Sequence, residues 1–258
     1  LRMDDRPNCG LGCSRVVDER GNYSSHVFVR EAIRVIHDHA DEEQEDPLFL
    51  YLAFQAVHAP DQVPESYRRV YENQTSWSEM RKTYAGMLSA ADEGVGNVTQ
   101  ALKEMGMWDN TLVIFTTDNG GPTETCAVQG SSNSPRRGGK CTVWEGGTTG
   151  DGFISGPALA QYMEEAMSAA VGQRMSRGPP LRHEGLFHCV DWLPTLAAMV
   201  GATRKGKKPL DGVNQWDSLI GKSKTAPRTE VFVGIGLFST WGPAMRHGRW
   251  KLIDNSGG

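Results

Sequence analysis

Asp118 and Asn119 stand together in Thr117-Asp-Asn-Gly-Gly121, directly after an apolar run. A carboxylate beside an amide oxygen offers two hard oxygen donors, the ligand type that Ca²⁺ or Mg²⁺ takes. Asn-Gly is also the strongest short hairpin signal, so a type I′ turn is the competing reading. A hairpin needs a matching apolar strand next, and Pro122-Thr-Glu-Thr125 is polar. His58, in Gln55-Ala-Val-His-Ala-Pro60, follows another apolar run; it is either a structural imidazole or a proton carrier near neutral pH. Lys140 closes Pro135-Arg-Arg-Gly-Gly-Lys140. Its three cations and two glycines either bring charge and backbone N–H groups to an anion or form a solvated basic loop. Trp144-Glu-Gly-Gly147 follows. Its glutamate is a candidate metal ligand or base, with a structural role as the stronger reading.

The elements that position these residues read as follows. Ser24 and Ser25 cap a helix whose apolar face is Val29, Ala32, Ile33 and Ile36, ending before the acidic run 41–46. Leu48-Phe-Leu-Tyr-Leu-Ala-Phe54 is nearly unbroken in apolarity and suits a strand buried on both faces of a parallel sheet. Tyr84, Met87, Leu88, Ala91, Val95, Val98, Leu102 and Met105 recur at helical spacing and make the apolar stripe of a long helix that Gly106 ends. Leu112–Thr117 is a second buried strand. Strand, helix and strand at these lengths make a βαβ unit, which places His58 and Asp118 at carboxyl ends of strands, where ligands gather. The Gly-rich stretch 118–152 is too long for a plain connection and reads as functional. Asp191 caps a short helix over 192–200 with Pro194 in its first turn. After Pro209 the short apolar pieces 231–233 and 250–253 predict an antiparallel β subdomain.

Composition excludes several classes. The 258 residues carry a formal net charge of −4 with 22% charged residues, which argues against a nucleic-acid binder. With 38% hydrophobic residues and 30 glycines, there is material for a packed core and for many turns. No apolar run approaches the ~18 residues of a membrane span. The chain opens at Leu1 without a basic-then-apolar leader, so it reads as an internal piece of a longer protein. Five cysteines (Cys9, Cys13, Cys126, Cys141 and Cys189) form no paired metal spacing, although Cys126 and Cys141 bracket one polar loop. Sequons begin at Asn22, Asn73 and Asn97; with a loop disulfide they point to the secretory route and to glycosylation.

The combined motifs resemble the sulfatases, most nearly the arylsulfatase branch. The resemblance rests on Pro47–Pro60, Tyr84-Ala-Gly-Met87, Asp92–Thr99, Thr117–Gly121, Arg137–Lys140, Trp144–Gly147, Asp191–Leu196, Lys208–Gly212 and Met245–Leu252. It covers nearly the whole chain from about Tyr23 onward. It implies an α/β fold of the alkaline-phosphatase-like type: a mostly parallel sheet with flanking helices, then a small antiparallel C-terminal β subdomain. Residues 1–212 would be the C-terminal portion of the catalytic domain and 213–258 the opening of the next. By position, Asp118 and Asn119 match the family's Ca²⁺ ligands, and His58 and Lys140 its cationic contacts to the substrate sulfate. His58 would also give a proton to the leaving alcohol. Such a protein hydrolyses sulfate esters, here a sulfated small molecule or a glycosaminoglycan bearing galactosamine sulfate, and is lysosomal or extracellular.

The departures from the pattern carry equal weight. The family's nucleophile is a formylglycine, made from cysteine in Cys-x-Pro-x-Arg by the formylglycine-generating enzyme, and no such stretch occurs here. It is expected upstream of this chain, which alone would hydrolyse nothing. Thr149 stands where arginine is usual, Asp151 where an apolar residue is usual, and the 119–140 loop is extended. Two alternatives remain: a catalytically dead binding or decoy fragment, and a phosphate-ester hydrolase of the same superfamily.

Overall fold

The computed structural model describes residues 2–3, 14–15, 18–41, 46–123, 130–171, 182–202, 206, 208–234 and 242–254; for 2–3, 14–15 and 166–171 it describes the backbone. Cys9, Cys13, Cys126 and most of the acidic run 41–46 lie outside the described residues. The chain divides into two compact units, Leu1–Gly106 and Met107–Gly258.

In the first unit, β1 (Arg2–Met3) pairs antiparallel with β2 (Ser14–Arg15). Helix α1 (Ser24–Asp41) buries Val29, Ala32 and Ile36, the face its three- and four-residue apolar spacing dictates. Helix α2 (Glu65–Arg69) is a single turn, and α3 (Glu79–Glu104) opens on Ser78, whose hydroxyl accepts from the Arg81 amide at 3.2 Å. The buried face of α3 is Gly86, Met87, Ala90, Gly94 and Ala101, while Leu88 is 56% exposed. The expected stripe is thus offset toward small residues. The reason is close packing. A Cβ on Gly94 would stand 2.6 Å from Val29 Cγ2 of α1, and one on Gly86 would stand 3.2 Å from the α2 backbone.

The apolar run 48–54 forms no ladder among the described residues, contrary to the expected strand. A strand buried on both faces needs neighbours to pair with. None of the described strands supplies one, so Phe49 and Tyr51 face outward while Leu52 and Phe54 are half-buried.

In the second unit, β3 (Val113–Thr116) pairs with β4 (Gly152–Ser155), and the pairing is antiparallel. The simple parallel βαβ unit is therefore not what the described strands form. Between β3 and β4 lies the Gly-rich stretch with its one-turn helix α4 (Glu145–Thr148). Helix α5 (Pro157–Val171) follows β4. Its apolar spacing does not single it out in the sequence, although Pro157 in its first turn and its Ala, Leu and Met content favour it. Trp216 and Ile220 of the turn around α7 (Trp216–Leu219) centre a core packed by Leu112, Ile154, Leu159, Tyr162, Met163 and Met199. The Tyr162 and Trp216 rings meet edge to face at 5.1 Å.

Helix α6 (Trp192–Met199) forms as expected, but Asp191 does not cap it. Its carboxylate, fully buried, accepts from His188 N (2.9 Å), Val213 N (2.9 Å), Gln215 Nε2 (3.1 Å) and both Arg228 Nε (2.7 Å) and Nη2 (2.6 Å). The C-terminal sheet is antiparallel as read, in the order β5 (Glu230–Val233), β6 (Ala244–His247), β7 (Trp250–Ile253). Among the described residues no helix is long and apolar enough to cross a membrane.

Candidate functional site

Strand β3 delivers the chain to Asp118 and releases it there. Thr117 N donates to Asp151 O at 3.0 Å and Asp151 N to Thr117 Oγ1 at 2.9 Å, so everything from Asp118 to Gly150 is one excursion between two paired strands. This settles the competition with a tight Asn-Gly hairpin, since the partner of β3 lies beyond the whole loop. Asp118 Oδ1 accepts from Asn119 N (2.8 Å), and Asn119 Nδ2 donates to Gly120 O (2.8 Å). The second carboxylate oxygen of Asp118 and the side-chain oxygen of Asn119 carry no hydrogen bond from the described residues. Two adjacent hard oxygens are therefore open, and Asp118 is exposed. The pair fits part of a hard-cation shell of ~6 or more oxygens. Among the described residues no group of three or more His, Cys, Asp or Glu gathers to complete one.

Glycine dictates how the loop packs. Gly120 N donates to Gly147 O at 3.0 Å, and a Cβ on Gly120 would sit 1.6 Å from Gly146 O. Likewise a Cβ on Gly146 would sit 2.2 Å from Gly138 O, and one on Gly147 2.3 Å from Gly139 O. Three chain segments thus stack backbone on backbone, at distances that no side chain permits. Asn133 ties them: its Oδ1 accepts from Gly121 N (2.9 Å), and its Nδ2 donates to Gly121 O (2.8 Å) and Gly138 O (3.0 Å). Lys140 N donates to the same Gly121 carbonyl at 3.1 Å. Asp118, Asn119 and Lys140, chosen from sequence, are thereby brought into one hydrogen-bonded segment. Asn133 was missed as an organiser; an Asn between serines in a Gly-rich stretch was its only signal.

Both arginines of the loop are engaged. The Arg137 guanidinium lies 3.8 Å from the Trp144 ring centroid, and Arg136 Nη1 is 3.6 Å from Asp151 Oδ1. Cys141, at φ 72°, is disulfide-bonded; its partner lies outside the described residues. Cys189 is free and exposed.

Glu145 is not available as a metal ligand or base. Oε2 accepts from Arg246 Nη1 (2.7 Å) and Thr149 Oγ1 (3.0 Å), and Oε1 from Lys251 Nζ (2.8 Å). Burial raises its pKa, but the hydrogen bond and charge of Lys251, the Thr149 hydroxyl and the Arg246 charge outweigh that, and the net shift is downward. Thr149 is thus part of this knot. At Asp191, burial raises the pKa, and Arg228, Val213 N, His188 N and Gln215 overturn that rise and draw it down to about 2.

His58 belongs to the first unit and is exposed. Its Nδ1 lies 2.9 Å from the Ala59 carbonyl, which can only accept, so Nδ1 is the donor of that bond, and Nε2 has no hydrogen-bond partner among the described residues. The sequon residues Asn22, Asn73 and Asn97 are all exposed. Asn22 donates to Glu19 (2.8 Å), Asn73 lies in a turn, and Asn97 lies within α3.

The sequence profile of the sulfatase family matches residues 2–202. Mouse arylsulfatase J is 32% identical, over 93% of this chain and 38% of its own length. Human N-acetylgalactosamine-6-sulfatase is 26% identical, over 76% of this chain and 32% of its own. Among solved structures, Ps i-CgsB in complex with k-i-k-neocarrahexaose superposes with a TM-score of 0.72 at 29% identity, covering 92% of this chain and 47% of that one. The chain belongs to the sulfatase family and has its alkaline-phosphatase-like α/β fold, with small antiparallel sheets. It spans less than half the length of each of these three relatives.

Proposed function

We propose that the chain contributes to a sulfate-ester hydrolase of the arylsulfatase type, with Asp118 and Asn119 as Ca²⁺ ligands and Lys140 as a contact to the substrate sulfate. The observation that carries this is the open oxygen pair at the end of β3, hydrogen-bonded through Gly121 into the segment that bears Lys140. A bound Ca²⁺ would draw off charge from sulfate oxygens as the S–O bond weakens. Lys140 adds a fixed cation where that charge develops. His58, placed by its motif, supplies a second cationic contact. In the imidazolium form, with the Nδ1–H held by Ala59 O, the Nε2–H is the proton that passes to the leaving alcohol, which leaves a neutral Nδ1–H imidazole behind.

The family's formylglycine nucleophile is absent from these 258 residues, so the reading assigns it, and the formylglycine-generating enzyme that makes it, to sequence outside them. Residues 1–212 then belong to the catalytic α/β domain and 213–258 to the smaller β subdomain. The substrate class is a sulfated small molecule or a glycosaminoglycan with N-acetylgalactosamine sulfate, as the name of the 6-sulfatase relative suggests. Glycans on Asn22, Asn73 and Asn97 and a lysosomal or extracellular location complete the proposal. The purified 258-residue chain is expected to give no turnover of a chromogenic aryl sulfate with calcium present. Calcium-dependent turnover by that chain would contradict the reading.

A further inference from the structure

Among the described residues, the cations on Glu145 come from the far end of the chain. Arg246 on β6 and Lys251 on β7 are directly paired across their ladder, so their side chains stand on one face of the sheet. Both reach Glu145 at the start of α4, at 2.7 and 2.8 Å, and Lys251 also donates to Thr148 Oγ1 at 3.2 Å. Charge-assisted bonds of this length are the stronger class. Helix α4 in turn holds the candidate site through its backbone. Gly146 N donates to Arg137 O at 2.7 Å, and Gly147 O accepts from Gly120 N at 3.0 Å. Gly120 immediately follows the Asp118–Asn119 pair. A four-residue helix has too few internal hydrogen bonds to fix its own place; something outside it must. The chain of contacts therefore runs from the C-terminal sheet, through one carboxylate, to the oxygen pair and to Lys140.

We propose that Glu145, Arg246 and Lys251 are positioning residues: a clamp by which the C-terminal sheet sets the backbone of Asp118–Gly121 and Lys140. The inference rests on the site reading above, because it assigns the clamp to that site's service. It makes the small β subdomain part of the site's mechanics. Thr149 strengthens the clamp through its hydroxyl.

The test is residue-resolved amide hydrogen exchange on the full chain, with binding of inorganic sulfate measured in parallel. Glu145→Gln, which keeps shape and removes charge, and Arg246→Met are each expected to speed exchange at Gly120, Lys140 and Gly146 about tenfold or more, by local opening. Arg246→Lys is expected to restore wild-type rates, as it returns the charge. The Val200 amide, which closes α6 onto Leu196 O, should keep its rate throughout. Unchanged exchange at Gly120 and Lys140 in both charge-removing variants would overturn the clamp. So would equal acceleration at Val200, which would mark a general loss of stability. Loss of sulfate affinity alongside faster exchange ties the clamp to the site. If wild type shows no sulfate affinity while exchange responds as expected, the site reading fails and the mechanical coupling stands.

Discussion

The α1–α3 pair and the 118–149 loop solve the same problem, close approach of chain segments, by different chemistry. In the helix pair, Gly94 lets Val29 in, and the buried faces are mostly apolar: Val29, Ala32 and Ile36 beside Ser25 on α1, and Met87, Ala90 and Ala101 on α3. In the loop, Val143 is buried, but the close approaches are made by glycine backbone. Gly120, Gly138, Gly139, Gly146 and Gly147 bring backbone to backbone, and polar side chains (Asn133 within, Glu145 at the edge) hold the stack. The first arrangement tolerates adjustment because side chains can shift. The second does not, because the atoms in contact are main-chain oxygens. A site that must hold Asp118, Asn119 and Lys140 in register gains from the second kind.

Substitutions can break or sharpen this contrast. The largest effect is expected at Gly120→Ala. Its methyl would overlap Gly146 O at 1.6 Å, with no flexible side chain to move aside, so the second unit should fail to reach its native near-ultraviolet circular dichroism. Next is Asp191→Ala, which leaves the Arg228 guanidinium largely buried without its partner; loss of one member of such a pair costs roughly 3–5 kcal/mol in chemical denaturation. Met87→Ala, at a fully buried site, should cost about 2–4 kcal/mol. Leu88→Ala, at its exposed neighbour, should stay within ~0.5 kcal/mol. Equal effects at 87 and 88 would mean that the helix packs on the stripe its sequence suggests and not on the offset one. A pH series gives the finest distinction. The Asp191 carboxyl has a folded pKa of about 2, below its ordinary 3.8. Its stabilisation is therefore complete above pH 3.8 and lost as pH falls toward 2. In Asp191→Asn that acid limb should flatten, as followed by thermal unfolding between about pH 2 and 5.

What could be read from the sequence divides along the same line. The periodicity of Val29, Ala32 and Ile36 located α1 and its face, Gly106 marked the end of α3, and the apolar C-terminal pieces 231–233 and 250–253 became β5 and β7; Ser78 as the cap of α3 and the middle strand β6 were not read. The stripe on α3 was misplaced because hydrophobicity counts Leu88 above Gly94, whereas close packing favours the glycine. Asp118, Asn119 and Lys140 were chosen by residue type and motif, and the loop brings them into one hydrogen-bonded segment. Asp191 was mistaken for a simple cap, because its partner Arg228 is remote in sequence and carries no periodic signal. Glu145 with Arg246 and Lys251 is the same case. The run 48–54 satisfied every rule for a buried strand, yet a ladder depends on neighbours that a single segment does not contain.

The central claim is that the segment from Asp118 to Lys140 receives a sulfate group. Titration of the full chain with inorganic sulfate in the presence of calcium, for wild type and Lys140→Ala, tests it most directly. Wild type is expected to bind saturably, and binding is expected to weaken about tenfold or more without the Lys140 ammonium, the scale of one charge-assisted contact. Equal affinity in the two proteins, or none in either, would contradict it.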